Sequence, residues 1–240
     1  MFTMQNAPID QVCYVYWLGS GVQYAYGQQI QRKIHDLRSK GLFQDSLLMM
    51  EHDHVYTLGR RSPREHILAD QMGVKRLGIS LVETDRGGLV TYHGPGQLIG
   101  YPIIDLKRLG VGPKLYVRRL EEALIAALGK FDIVGQQVNG LTGVWVGEAK
   151  IGAIGVKISG GITTHGFSLN VNTDISYYDH IIPCGIKGVE ITSMSALAGR
   201  PLDLQDVRKQ VALSFAECWG FVSYELTEFE FQDALTQVGH

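Results

Sequence analysis

Between Arg86 and Tyr101 the chain reads RGGLVTYHGPGQLIGY, and this stretch restricts most strongly what the whole can become. Glycines at 87, 88, 94, 96 and 100, together with Pro95, interrupt a segment bounded by apolar, strand-forming residues. A glycine loses more backbone entropy on folding than any other residue and packs no side chain. A strand gains from so many of them only where backbone must come close to a ligand, a phosphate or another strand. The segment predicts a strand–loop–strand floor of a binding cleft. By itself it names no chemistry.

The surrounding chain is ordinary enough to exclude several classes. At 240 residues it can bury a proper core, and 45% hydrophobic with 19% charged residues is a globular balance that argues against disorder. A formal net charge of -2 provides no global basic field for nucleic acid. Local basic clusters occur at Arg60, Arg61 and Arg64, at Lys107 and Arg108, and at Lys114, Arg118 and Arg119. They read as solvated surface or as a docking face for an acidic protein partner. Cys13, Cys184 and Cys218 form no CxxC pair, which suits a reducing compartment and argues against a disulfide framework. The first residues lack the basic start and apolar run of a signal peptide. No stretch approaches the roughly 18 apolar residues of a membrane span. The expectation is a soluble cytoplasmic protein with neither membrane nor nucleic acid as partner.

Periodicity places the elements. Residues 12–18 read as a strand and 22–37 as a helix, with Val22, Tyr26, Ile30, Ile34 and Leu37 at helical spacing and Gly41 as its stop. Residues 47–51 and 55–58 predict two strands around a polar turn, His52-Asp53-His54, and 79–83 a further strand. Residues 114–131 form the clearest helix. Residues 143–158 alternate with period two around Gly147-Glu148, a hairpin pattern, and 167–171 continue the alternation. Helices are expected at 204–219 and 228–238. With no repeat, linker or composition break, residues 1–240 read as one catalytic domain. Its class is α/β (α+β), with a mixed, largely antiparallel sheet flanked by helices, because hairpin-like runs outnumber strand–helix–strand units.

Candidate chemistry lies downstream. Cys184 stands in IIPCGI, where proline before and glycine after it fix a turn and leave the thiol uncrowded. It is either a reactive thiol or an inert loop cysteine. Cys13 and Cys218 sit on apolar elements and read as core. A cysteine nucleophile needs a base or a positive charge nearby, and His93, His165 and Lys150 are the candidates. Lys150 opens a strand of small and apolar residues, Ile151 to Gly155. A lysine held beside such surfaces loses solvation, which favours its neutral, basic form, although a turn lysine is ordinarily just solvated. His52 and His54 have the spacing of a metal pair. Without nearby cysteines or an HExxH pattern they read as turn histidines.

These residues together resemble the octanoyltransferases of lipoate synthesis. The match comprises Arg86-Gly87-Gly88, Thr91-Tyr92-His93, Gly96-Gln97 and Tyr101, then Lys150 with Gly152 to Gly155, then HGFSLN from His165 to Asn170, and finally the Pro183-Cys184-Gly185 turn. It spans roughly residues 47–196 and departs at none of these positions. The resemblance implies a fold related to the lipoate- and biotin-protein ligases. It also implies a catalytic dyad, with Cys184 as the acyl-thioester nucleophile and Lys150 as its activating partner. The substrate-binding residues it implies are Arg86, Gly87, Gly88, Leu89, Val90, Thr91, Tyr92, His93, Ala153, Ile154, Gly155, Gly166, Phe167 and Ser168. The donor would be octanoyl-acyl carrier protein, bringing its own phosphopantetheine. The acceptors would be lipoyl domains of 2-oxoacid dehydrogenases and the glycine cleavage H protein. No cofactor, ATP or metal is implied. Backbone N–H groups near Gly152 to Gly155 or around Cys184 are the expected oxyanion donors, and glycines 87, 88, 94 and 96 are expected to leave room for the acyl tail. His93 and His165 then read as orienting residues. The rival readings are an ATP-dependent ligase on the same fold, a non-catalytic acyl- or lipoyl-domain-binding protein, and a papain-like hydrolase using Cys184, His165 and Asn170.

Overall fold

The computed structural model describes residues 11–69, 71–186 and 188–236. In chain order its elements begin with β1 (Val12–Trp17), α1 (Tyr24–Ser39), β2 (Asp45–Met50), β3 (Val55–Leu58), α2 (Gln71–Arg76), β4 (Ser80–Glu83), β5 (Thr91–His93) and β6 (Gln97–Ile103). They continue with α3 (Pro113–Gly129), β7 (Gln136–Val138), β8 (Leu141–Val146), β9 (Ala149–Ser159), β10 (Ile162–Asn170), α4 (Met194–Ala198), α5 (Leu204–Trp219), β11 (Val222–Glu225) and α6 (Glu228–Thr236).

Eight strands form one mixed sheet in the order β11-β1-β2-β6-β10-β9-β8-β7. Only β11, β1 and β2 run parallel; the remaining pairings are antiparallel. Helices cover both faces, and the strand residues divide between them as the period of two requires. Leu47, Met49 and Leu98 pack with residues of α3 and α5, whereas Leu48, Met50 and Ile99 pack with residues of α1 and α6. That two-sided burial explains the unbroken apolar run of β2. A second sheet, β4-β3-β5, packs over Val74, Ile79, Val90, Tyr178 and Ile181. No helix among the described residues is long and apolar enough to cross a membrane.

The glycine-rich stretch is a passage between the two sheets. β5 belongs to the small sheet and β6 to the large one, so the strands flanking Gly94 to Gly96 do not pair with each other. Most of the glycines serve the protein's own packing. A side chain at Gly94 would strike the Tyr92 hydroxyl, one at Gly96 the Asn172 backbone, and one at Gly100 the Phe167 ring. The room expected at 94 and 96 for an acyl tail is filled by protein. His52 marks a similar crossing: β2 and β3 lie in different sheets, and the expected polar turn has one fully buried member.

The hairpin around Gly147-Glu148 is present, and α3 and α5 lie where their spacing placed them. The tail helix runs to Thr236; positions 237 and 238 lie outside the described residues. Four elements had no periodic signature. α2, α4 and β7 are too short to carry one, and β11 is an edge strand paired with β1 across the length of the chain.

Candidate active site

Cys184 rides on a short 3-10 turn, Pro183–Gly185, in the left-handed region at φ +55°. A non-glycine residue there is uncommon, and such residues concentrate at functional sites. The turn is tied down from several sides. Cys184 N–H donates to the Val90 carbonyl at 3.0 Å, and Ile182 N–H donates to the His66 carbonyl at 2.7 Å. Gly185 suits its own left-handed backbone, at φ +73°, and a side chain there would press on Leu89. The sulfur is left half-buried.

Lys150 comes to it from the start of β9. Trp145 pairs with Lys150 and Val144 with Gly152, so Ile151 is an extra residue, a bulge that re-aims the strand. Gly143 makes room for the lysine stem, which a side chain at that position would strike. Lys150 is buried. Its Nζ donates to the Thr142 carbonyl at 2.8 Å and lies 3.4 Å from Cys184 Sγ, with the Trp145 ring 5.2 Å away. Among the described residues no carboxylate pairs with it. Glu121 is nearby but accepts the Gly143 N–H at 2.8 Å, and burial pushes its carboxyl up. A buried ammonium without a counter-ion is costly, so the thiol beside it is the natural partner.

From Cys184 a channel runs between two rails. One is the β9–β10 ladder, where Ala153 faces Ser168, Gly155 faces Gly166 and Val156 faces His165. The other is the segment from Asp85, bonded to His165, to Val90, bonded to Cys184. Of the sequence-predicted residues, Arg86, Gly88, Leu89, Thr91, His93, Ala153, Ile154, Gly155, Gly166, Phe167, Ser168 and Cys184 line the channel. Three do not. Gly87 donates its N–H to the Val156 carbonyl, Val90 is buried under the small sheet, and Tyr92 stacks on Tyr177 and bonds His54. Lys150 lines a small recess continuous with the channel through Thr91, Ala153 and Cys184. The Arg86 guanidinium is buried, held by the Thr57 carbonyl and hydroxyl and the Gly87 carbonyl, with no carboxylate partner among the described residues.

The histidines take other roles than a base for Cys184. His52 is bonded to the Val22 carbonyl and the Tyr101 hydroxyl, His93 to Gln97, and His165 to Asp85. Asn170 is engaged by Gln97 and Thr192, so the hydrolase triad of Cys184, His165 and Asn170 is not assembled. Burial pushes all three histidines down, His52 to about 4, with the Asp85 hydrogen bond only partly offsetting it at His165. Each stays neutral in the fold, while in the unfolded chain it protonates near about 6.5. Below that value the unfolded chain binds more protons. Stability is fully present above about pH 6.5 and declines as pH falls, by up to about 1.4 kcal/mol per pH unit for each histidine. Urea unfolding midpoints are expected to drop from about pH 6.5 toward about pH 4 in the window set by His52; a flat profile there contradicts neutral burial.

Tyr24 and Tyr101 line the inner end of the channel, and Tyr24 stacks on His93. Tyr24, Thr57, Thr142 and Gly143 were not singled out from the sequence. Of these only Gly143 fell within a stretch read from the sequence, the hairpin run 143–158, and nothing there marked its role.

Comparison with known proteins gives the family and the fold. The lipoyl protein ligase A/B catalytic domain matches residues 23–216. The octanoyltransferase of Koribacter versatilis is 46% identical over 209 residues, covering 85% of this chain and 82% of the relative. That of Chloroflexus aurantiacus is 44% identical over 206 residues, covering 85% and 92%. In fold, the chain is similar to the bi-partite lipoate protein ligase of Thermoplasma acidophilum, solved in a study of that ligase and its E2 lipoyl domain. The TM-score is 0.69 at 19% identity, with 93% of this chain and 91% of that chain covered.

Proposed function

This chain belongs to the lipoyl protein ligase A/B catalytic family, and from that membership we propose that it is an octanoyltransferase acting through a cysteine thioester. The observation that carries the reading is Lys150 Nζ at 3.4 Å from Cys184 Sγ, at one end of a channel whose lining mixes small and apolar residues (Gly88, Leu89, Ala153, Ile154, Gly155, Phe167) with polar ones such as Arg86, His93 and His165.

The donor is octanoyl-acyl carrier protein. Its thioester is already activated, so the chemistry needs neither ATP nor metal. Lys150 accepts the Cys184 proton, and the thiolate attacks the octanoyl carbonyl. The phosphopantetheine thiolate departs, taking the proton back from Lys150. One thioester is exchanged for another. The amine of a lipoyl-domain lysine then attacks the octanoyl-cysteine. Lys150 takes the proton released by that amine and passes it to the departing Cys184 sulfur, and amide formation makes this half favourable.

The oxyanion finds few free backbone donors at the cysteine turn. The N–H groups of Cys184, Gly185 and Ile186 are all engaged by carbonyls, which removes one of the two places the sequence offered and leaves Gly152 to Gly155. Lys150, once protonated, stands 3.4 Å from the attacking sulfur and is the donor assigned to the forming charge. The apolar tail lies in the channel, where each buried methylene contributes about 0.8 kcal/mol.

Arg60 and Arg61 are exposed directly after Gly59, which packs against the Gly88 backbone at the channel rim. They are suited to hold an acidic carrier protein. The cluster at Lys114, Arg118 and Arg119 is less available, because Arg119 stacks over Trp219 and Arg118 pairs with Glu122. Reversing both rim charges (Arg60→Glu with Arg61→Glu) is expected to raise the carrier-protein KM about tenfold at low salt. It should flatten the salt dependence and leave kcat nearly unchanged; an unchanged KM removes this surface from the account.

The reading is tested by mixing the enzyme with octanoyl-acyl carrier protein and an isolated lipoyl domain, without ATP, and weighing the domain. Octanoylation of its lysine is expected. A domain modified only when free octanoate and ATP are supplied would make the enzyme a ligase instead.

A further inference from the structure

We propose that His165 closes the inner end of the acyl channel and thereby sets the longest chain the enzyme accepts, an inference that rests on the octanoyltransferase reading above. His165 is shared by two cavities. One is the channel that begins at Cys184; the other is a recess between α1 and the ends of β9 and β10, lined by Gln31, Arg32, His35, Asp85, Lys157 and Thr164. The imidazole is the partition between them.

Its placement departs from the strand pattern. Cross-strand partners share a face of a sheet, yet Val156, opposite His165, packs on the core beneath α3 and α5. His165 lines the channel because its backbone is left-handed, at φ +57°, which breaks the alternation of β10. Two bonds hold it there: its N–H donates to Gln31 Oε1 at 2.7 Å, and its Nε2–H donates to Asp85 Oδ1 at 2.7 Å. Backbone strain secured by two hydrogen bonds marks a position kept for a purpose.

The distance suits the substrate. Ala153, beside Cys184, and Val156, opposite His165, are three residues apart on β9, about 10 Å along an extended strand. An extended octanoyl chain spans that length. A longer chain meets the His165 ring together with the hydroxyl-bearing Tyr24 and Tyr101, and it gains nothing from further methylenes unless the partition opens. The partition is incompletely bonded: His165 Nδ1 and Gln31 Nε2 are buried without a hydrogen-bond partner. Its removal would join the channel to the recess behind it.

The test is the chain-length profile of the wild type and His165→Gly. Glycine suits the left-handed backbone, so the variant keeps the conformation of β10. kcat/KM is measured with octanoyl-, decanoyl-, dodecanoyl- and tetradecanoyl-acyl carrier protein. The recess is lined by polar and charged side chains, so the gain comes from removing the block and not from apolar burial, and the dodecanoyl-to-octanoyl ratio is expected to rise about tenfold in His165→Gly. Asp85→Ala, which releases the imidazole from an exposed partner, is expected to move the ratio the same way by a smaller factor, and it supplies the answer if His165→Gly does not fold. Equal losses at every chain length, with the ratio unchanged, overturn the partition while leaving the transferase reading intact. A wild type that transfers none of the four chains overturns both.

Discussion

Replacing Cys184 by serine is expected to lower octanoyl transfer at least about 10³-fold and to remove the thioester adduct proposed above. The two side chains are nearly the same size, and serine tolerates the turn held by Val90 and His66. The fold is therefore not what changes. What changes is the acidity and nucleophilicity of the group at 3.4 Å from Lys150. A hydroxyl does not yield its proton to an amine as a thiol does, and an oxygen ester is a poorer acyl donor to the incoming lysine than a thioester. The measurement is steady-state transfer beside an unfolding curve. A serine variant of wild-type stability that retains a tenth of the activity would mean that Cys184 is a bystander.

Truncating Lys150 to alanine is the second large effect, a loss of about 10²–10⁴-fold. Both half-reactions need a proton moved at the same place, so acylation and transfer to the acceptor both slow. Lys150→Arg separates two explanations. Arginine supplies a positive charge beside the sulfur but does not give up its proton at ordinary pH. If Lys150 acts only as a counter-ion, the arginine variant recovers most of the acylation rate in single turnover. The proposed proton transfer predicts that it does not. Lys150→Ala leaves the Thr142 carbonyl without its 2.8 Å donor, so a modest stability cost accompanies it. Its melting curve separates this cost from the catalytic one.

Much of this molecule is legible in its sequence, for reasons that differ by element. α3 and α5 advertise themselves because Leu120, Leu124, Ala127 and Leu128, or Val207, Val211 and Phe215, all face one core. The β8–β9 hairpin is equally plain from its alternation. What sequence periodicity does not carry is which strands meet. Residues 45–58 and 91–103 each look like a strand pair around a turn, but each crosses between two sheets. Their pairing is decided by partners far along the chain: β2 with β1 and β6, β3 with β4 and β5.

The site divides in the same way. Cys184 and Lys150 could be named because a turn cysteine and a strand-opening lysine are unusual, and because their surroundings resemble a family. The devices that bring them together left no mark: the bulge at Ile151, the left-handed backbone of Cys184 and the cavity Gly143 leaves for the lysine stem are properties of the folded backbone. The glycines misled for a physical reason. Close approach of backbone is what they permit, but at 94, 96 and 100 the approaching group is the protein itself. His52 misled likewise, since a histidine between polar residues in a short connection gives no sign that Val22 and Tyr101 will enclose it.

The central claim is that the acyl group rests on Cys184 between donor and acceptor. It is tested most directly by the intact mass of the enzyme after incubation with octanoyl-acyl carrier protein in the absence of ATP, beside Cys184→Ser and Lys150→Ala. The account predicts one octanoyl adduct on the wild type, none on Cys184→Ser, slow formation on Lys150→Ala, and loss of the adduct when a lipoyl domain is added. A wild-type enzyme that octanoylates the lipoyl domain while never carrying the acyl group would contradict it, and would mean direct transfer from carrier to acceptor.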